Sequence, residues 1–299
     1  MQSADTLNTI ISDKDLVPRL EPHLPRLILT LNDCNIKIQI KLYFSFIQDF
    51  VKYYHEAIGD CIIPFVHSLV QRILIELKNC HEKGEKNNII INKCWNVLRL
   101  ICELDSFMPR YAQAIEDAMK PLFEFMIDPT RIEFEDDIVL TLKSFIRKTE
   151  TISPVLWTIF PYLKMVFDKN KHTFGNLLDT LNQYLVAGRD QIAMKKDFIV
   201  LLVTMASESL FTLQPVITIH NSEGAILLQL LFQTYAGTQV LNEFFDEIMA
   251  LVRSRMVAAP MKEHLKRHLL SVWLTALTYN PTLTLAYFER ENLTTEFFA

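Results

Sequence analysis

Apolar residues recur at steps of three and four along nearly the whole chain, and short polar breaks separate the segments. This spacing puts apolar side chains on one face of a helix and differs from the alternation of a half-buried strand. The predicted fold class is therefore all-α, with helices at residues 15–31, 36–57, 61–80, 88–104, 108–126, 135–149, 154–168, 174–186, 190–210, 223–235, 238–254, 260–278 and 281–290.

Prolines mark a repeat in four of these segments, at Pro25, Pro64, Pro121 and Pro161. Pro25 and Pro64 are 39 residues apart and Pro121 and Pro161 are 40 apart, whereas the interval of 57 between the middle two includes the charged insertion HEKGEKNN. Units of this length, with two helices and a proline in the first, are typical of HEAT repeats. We predict one right-handed α-solenoid of HEAT/ARM-type hairpins over residues 1–299, with about six to seven hairpins, rather than a non-repetitive bundle.

The stretch SPVLWTIFPYLKMVFDKN, residues 153–170, contains two prolines with different predicted effects. Ser153 is a good N-cap, and Pro154 falls at the first helical position, where its missing N–H costs nothing. Pro161 lies in the middle of the predicted helix, where it removes a backbone hydrogen bond and clashes with the preceding turn. We expect a kink at Pro161 that wraps an outer helix around its inner neighbour.

Composition narrows the function classes. Six glycines in 299 residues, about 2% against a typical ~7%, leave no Walker loop, GxGxxG or GxSxG motif, so the sequence predicts neither an enzyme nor a cofactor. The net charge of −5 without a basic block disfavours direct nucleic-acid binding. The amino terminus does not read as a signal peptide, and the uncharged run at 198–206 is about half a membrane span, so no membrane insertion is expected.

Cysteine usage points to a reducing compartment. The five cysteines form no CxxC pair and lie mostly in apolar helical segments, at Cys34, Cys61, Cys80, Cys94 and Cys102. Reduced core cysteines are typical of cytosolic and nuclear proteins.

His264 and His268 are the most metal-like pair, since they stand at i and i+4 on one predicted helix face. Metalloproteases place a glutamate between two such histidines, whereas here Leu265, Lys266 and Arg267 intervene. The local positive charge opposes a cation, so we predict a solvated helix face and no metal site.

An acidic cluster, RIEFEDD, is the other candidate site, and its carboxylates are Glu133, Glu135, Asp136 and Asp137. Carboxylates here favour the positive end of the macrodipole of the helix predicted from residue 135. Contact with a basic cargo segment is the functional alternative, and catalysis by paired carboxylates is a third.

Several stretches resemble, in order, the carboxy-terminal half of receptors of the importin-β (karyopherin) family, with the importin seven and eight type as the nearest branch. They read YYHEAIGDCIIPFVHSLVQRILIEL, LRLICELDSFMPRYAQAIEDAMKPLFEFM, SPVLWTIFPYLKMVFDKNKHTFGNLLDTLNQYLVAGRD and SVWLTALTYNPTLTLAYFE. The likeness covers most of residues 15–290. It rests on the collinear order of these segments, because HEAT consensus positions are mainly apolar.

The resemblance implies a function in transport. Such importins are HEAT superhelices that carry cargo proteins through nuclear pores and release the cargo when Ran-GTP binds. Inner helices and acidic loops would hold cargo, and gaps between outer helices would take phenylalanine-glycine nucleoporin repeats, with the protein in the cytoplasm, the nucleus and the nuclear pore. No part of the chain resembles the amino-terminal domain that carries much of the Ran contact, so Ran binding is expected to be weak or absent.

Two expectations qualify this interpretation. Family members are about three times longer, and this chain ends in the apolar LTTEFFA without a polar end repeat, so we expect a fragment of a longer superhelix. The alternative function is a HEAT scaffold outside nuclear transport, of the phosphatase-scaffold or coat-adaptor type.

Overall fold

A computed structural model of the chain describes residues 21–23, 40–83, 89–126, 135–169, 174–211, 221–258 and 262–293. Every regular element within these ranges is a helix, which confirms the predicted all-α class. The predicted helix at 15–31, Pro25 and Cys34 lie outside the described residues. The chain forms two compact units, Met1–Thr151 and Ile152–Ala299, and each is described separately.

The first unit contains a 3₁₀ turn at Glu21–His23, a second at Gly59–Cys61, and five described α-helices. These are α1 (Ile40–Ile58), α2 (Ile62–Lys83), α3 (Ile89–Glu103), α4 (Ala112–Met126) and α5 (Glu135–Thr149).

Helices of the first unit pack on the helix two positions away. Helix α3 lies between α1 and α5, while α2 packs on α4 and on its hairpin partner α3. The result is two layers, α1–α3–α5 and α2–α4, as expected for stacked helical hairpins. Fully buried residues, among them Phe65, Val97, Ile101 and Ile146, fill the space between the layers.

The second unit repeats this arrangement with more interruptions. Its helices are α6 (Pro154–Ile159), α7 (Tyr162–Lys169), α8 (Phe174–Ala187), α9 (Arg189–Met194), α10 (Lys196–Phe211), α11 (Asn221–Thr234), α12 (Phe245–Val257), α13 (Glu263–Tyr279) and α14 (Pro281–Arg290).

Helix α10 lies between α7 and α12 in one layer, and α11 lies between α8 and α13 in the other. The hairpin pairs α7–α8, α10–α11 and α12–α13 join the layers. Both units therefore have the two-layer packing of an α-solenoid of hairpins, although in the second unit the short helix α9 separates α7 from α10 and α8 from α11 by three positions. The right-handed twist, the single domain over 1–299 and the hairpin count stay predictions.

Polar side chains tie the hairpins of the second unit together. The Tyr184 hydroxyl of α8 donates to the Leu156 carbonyl at 2.8 Å, and the Tyr235 hydroxyl donates to the Arg189 carbonyl at 2.9 Å. The Tyr279 hydroxyl, at the end of α13, donates to Asn242 Oδ1 at 2.8 Å. The buried Arg255 of α12 donates from Nε to the Leu210 carbonyl at 2.9 Å, which satisfies an orphan carbonyl in the last turn of α10.

The two prolines of the stretch at residues 153–170 behave differently, as predicted. Ser153 Oγ accepts a hydrogen bond from Leu156 N–H at 3.2 Å, and Pro154 is the first residue of α6. At Pro161 the predicted continuous helix is wrong, because α6 ends at Ile159 and α7 begins at Tyr162. Bonds from Leu163 N–H to the Phe160 carbonyl and from Lys164 N–H to the Pro161 carbonyl replace the helical pattern with a tight turn. The expected kink is therefore a full break.

Two other predicted boundaries are wrong. The helix predicted at 238–254 begins at Phe245, because residues 235–244 form a turn in which Gly237 has φ +74° and the Leu241 N–H bonds to the Tyr279 hydroxyl. The helix predicted at 190–210 is divided at Lys195, whose backbone is extended.

The described cysteines are free thiols, with Cys80, Cys94 and Cys102 buried and Cys61 half-buried. Burial raises the pKa of Cys94 and of Cys102 to about 12, so both stay protonated and inert. Residues Ile47–Glu82 are long and apolar enough to cross a membrane by length and composition, but they comprise α1, the 3₁₀ turn and α2 of the packed first unit. The prediction of no membrane insertion stays a prediction.

A substitution at Gly224 tests how closely the backbone of α11 approaches that of α10. A Cβ at this position would lie 2.5 Å from the Ala206 carbonyl oxygen, which belongs to helix backbone and cannot rotate away. We expect Gly224→Ala to lower the free energy of unfolding by about 1–3 kcal/mol through overpacking. Denaturant titration measures the change.

Gly175→Ala is the matched control, since its Cβ would meet the Glu223 carboxylate oxygen at 2.9 Å, at the end of a flexible side chain. Equal losses in the two variants would contradict the proposed backbone contact.

Candidate functional site

The acidic cluster is partly described. Glu133 lies outside the described residues, and Glu135 and Asp136 open α5, although their side chains are not described. Asp137 is half-buried in the first turn, where its backbone carbonyl accepts the Thr141 hydroxyl at 2.7 Å. The helix thus begins at the predicted residue, while contact of these carboxylates with cargo stays a prediction.

The two candidate metal ligands lie together on α13. The rings of His264 and His268 are 4.7 Å apart between centroids and nearly perpendicular. Gln229 of α11 donates from Nε2 to the His268 carbonyl at 3.0 Å. Burial, and then the nearby His264, lower the pKa of His268. No group of three His, Cys, Asp or Glu that could hold a metal ion occurs among the described residues.

A groove between α12 and α14 is the site that sequence reasoning missed. It has a volume of about 500 Å³ and follows one face of α12, with α14 forming the opposite wall. The lining residues are Asp246, Ala250, Arg253, Ser254 and Val257 of α12, and Tyr287, Arg290 and Glu291 from α14 and its end. Asp246, Ala250, Arg253 and Val257 share a face because each is three or four positions from the next, and Ser254 lies beside Arg253.

Two ion pairs cross this groove in opposite senses. Asp246 of α12 pairs with Arg290 at 3.0 Å, and Arg253 of α12 pairs with Glu291. A weaker contact of 3.4 Å joins Arg290 Nε to Glu291 Oε1. The two positive and two negative charges cancel, and the two ion pairs link α12 to α14 and its end.

Apart from these charges and Ser254, the groove is lined by Ala250, Val257 and Tyr287. Tyr287 is 3% exposed and packs edge-on against Phe245, with 6.3 Å between ring centroids. Its burial, with a smaller effect of the Glu291 carboxylate, raises the pKa of the phenol. Ala250 is exposed and lines the groove, and Val257 is 76% exposed at the C-terminal end of α12. The groove can hold a small apolar or aromatic side chain between charged walls.

The sequence carried little signal for this groove. Asp246, Arg253 and Arg290 look like ordinary exposed helix charges, and the ion pairs form between residues 38 and 44 positions apart, at 253/291 and 246/290. The helical spacing of Asp246, Ala250, Arg253 and Val257 could have shown one shared face. It could not have shown that α14 lies opposite.

The fold defines a structural class: an all-α stack of helical hairpins. The chain is 19% identical over 286 residues to a Dictyostelium discoideum protein named "Probable importin-7 homolog", over 93% of this chain and 26% of that relative. It thus spans about a quarter of the length of this curated relative. This likeness supports a relationship with the importin-β family and confirms the resemblance read from the sequence. No family model and no solved structure matches the chain.

A double-mutant cycle with Arg253→Met and Glu291→Gln tests whether the Arg253–Glu291 ion pair stabilises the fold. The side chains are 39% and 30% exposed, so we expect a coupling free energy of about 0.5–1 kcal/mol. The matched control is the pair Arg267–Glu263 on α13, which is 3.7 Å apart and 76% and 69% exposed. Its coupling should be at most about 0.3 kcal/mol. Equal coupling in both pairs would contradict a specific bridge between α12 and α14.

Proposed function

We propose that this chain is part of an importin-like nuclear transport receptor that binds cargo proteins and the phenylalanine-glycine repeats of nucleoporins. The supporting observation is the groove between α12 and α14. Helix α12 is the first helix of its hairpin with α13, and α14 follows that hairpin in the chain. The resemblance places the repeats in gaps between outer helices, and we assign the gap between α12 and α14 to this class. The relationship to an importin relative supports the same assignment.

The chemistry of the groove fits a phenylalanine-glycine repeat. A phenylalanine side chain would lie beside Ala250 and would reach the ring of Tyr287 when the Arg290 guanidinium moves off it, since aromatic pairs favour offset or edge-to-face contact. The adjoining glycine has no side chain and lets the peptide backbone pass close to the charged walls. The ligand needs no charge of its own because the two ion pairs neutralise the walls.

The receptor acts by binding, without a cofactor or a catalytic step, and without direct contact with nucleic acid. Its cargo would be held elsewhere, with the cluster Glu133, Glu135, Asp136 and Asp137 as a contact for basic segments. It would move between cytoplasm and nucleus through the pore. Release of cargo by Ran-GTP belongs to the intact receptor, and we expect Ran binding by this chain to be weak or absent.

The test is binding of the full chain to an immobilised phenylalanine-glycine repeat polypeptide, measured by biolayer interferometry. A repeat polypeptide with every phenylalanine replaced by serine is the ligand control. Ala250→Trp should reduce binding at least tenfold because the indole fills the groove. Ala286→Trp, an exposed alanine of α14 outside the groove lining, is the matched control and should bind like the wild type.

Two results separate the outcomes. If the wild-type chain does not bind the repeats, the transport function is contradicted and a HEAT scaffold outside transport takes its place. If the wild type binds and both tryptophan variants bind equally well, the function stands but the groove between α12 and α14 is not the site.

A further inference from the structure

The two ion pairs across the groove differ in exposure. The side chains of Arg290 and Asp246 are 54% and 62% exposed, whereas those of Arg253 and Glu291 are 39% and 30% exposed. Water solvates the first pair more fully, so this pair contributes less net stability and opens more easily. The second pair can keep the two helices joined while the first opens.

The more exposed ion pair, Asp246–Arg290, also covers the ring of Tyr287. The guanidinium carbon of Arg290 lies over the ring of Tyr287, 5.1 Å from its centroid, while Nη2 contacts Asp246 at 3.0 Å. The ring face that an aromatic ligand would use is therefore occupied by Arg290. Asp246 holds the guanidinium there from α12.

We infer that the Asp246–Arg290 ion pair is a gate over the groove, which an entering aromatic side chain opens. This inference rests on the proposed function and concerns how the groove is regulated. The ligand ring takes the place of the guanidinium against Tyr287. Arg290, released from Asp246, then turns onto the outer face of the ligand ring, where a cation over an aromatic ring is attractive.

The gate predicts an unusual response to salt. Salt screens exposed ion pairs, so it weakens the closed state and should favour entry of an uncharged ligand. Arg290 has two functions in this scheme. It blocks the groove while it is paired with Asp246, and it covers the ligand ring after it has separated from Asp246. Removing Asp246 should therefore help binding, whereas removing Arg290 should abolish the salt response and lose the outer contact.

The experiment measures the Kd of the full chain for the phenylalanine-glycine polypeptide at low and high sodium chloride. Asp246→Asn should bind roughly three- to tenfold more tightly than the wild type at low salt, and the difference should shrink at high salt. Arg290→Gln should show little salt dependence. The control is Glu243→Gln, which removes the exposed Lys196–Glu243 pair at 2.7 Å outside the groove lining and should match the wild type at both salt concentrations.

The outcomes distinguish the gate from the function it rests on. If neither the wild type nor any variant binds the polypeptide, the proposed function and the gate both fail. If the wild type binds and Ala250→Trp does not, but Asp246→Asn equals the wild type at both salt concentrations, the gate alone is overturned. Thermal unfolding of each variant confirms that the affinities compare folded proteins.

Discussion

Packing of each helix against the neighbouring helices of its own layer is the constraint on which the rest of this structure depends. A hairpin helix in a layer has neighbours on both sides as well as a partner in the other layer, so it must be apolar over more than one face. Helix α10 illustrates this, since Ile199, Val203, Ala206 and Leu210 are all buried between α7, α11 and α12. The groove lies between α12 and α14, where ion pairs join the two helices and leave a gap between their exposed faces.

Much of the fold could be predicted from the sequence because helix starts carry local chemistry. Ser153 with Pro154 and Asn280 with Pro281 begin α6 and α14 as N-cap and first helical residue, and Asn280 Oδ1 accepts the Leu283 N–H at 3.1 Å. The break at Pro161 was a local effect that the sequence underestimated, whereas another failure was non-local. The late start of α12 depends on the Tyr279 hydroxyl, 38 residues from the Leu241 N–H that it accepts.

The candidate site lies at the limit of such reasoning. A single helix face reveals exposed charges but not the helix opposite, so Asp246 and Arg290 could be paired only in three dimensions. The acidic cluster at residues 133–137 differs from the groove, because it was visible in the sequence. Its contact with cargo stays a prediction. The sequence did carry the resemblance to importins, which the distant likeness to an importin relative supports, while the function itself stays a proposal.

Hydrogen exchange after Leu163→Ala tests the central claim of neighbour-only packing most directly. Leu163 is fully buried in α7, which packs on α8 and α10, so its loss should cost about 2–5 kcal/mol. We predict faster exchange in α6, α7, α8 and α10, with little change in α13 and α14. A uniform increase through all helices of the second unit would contradict the layered account and indicate a single cooperative core.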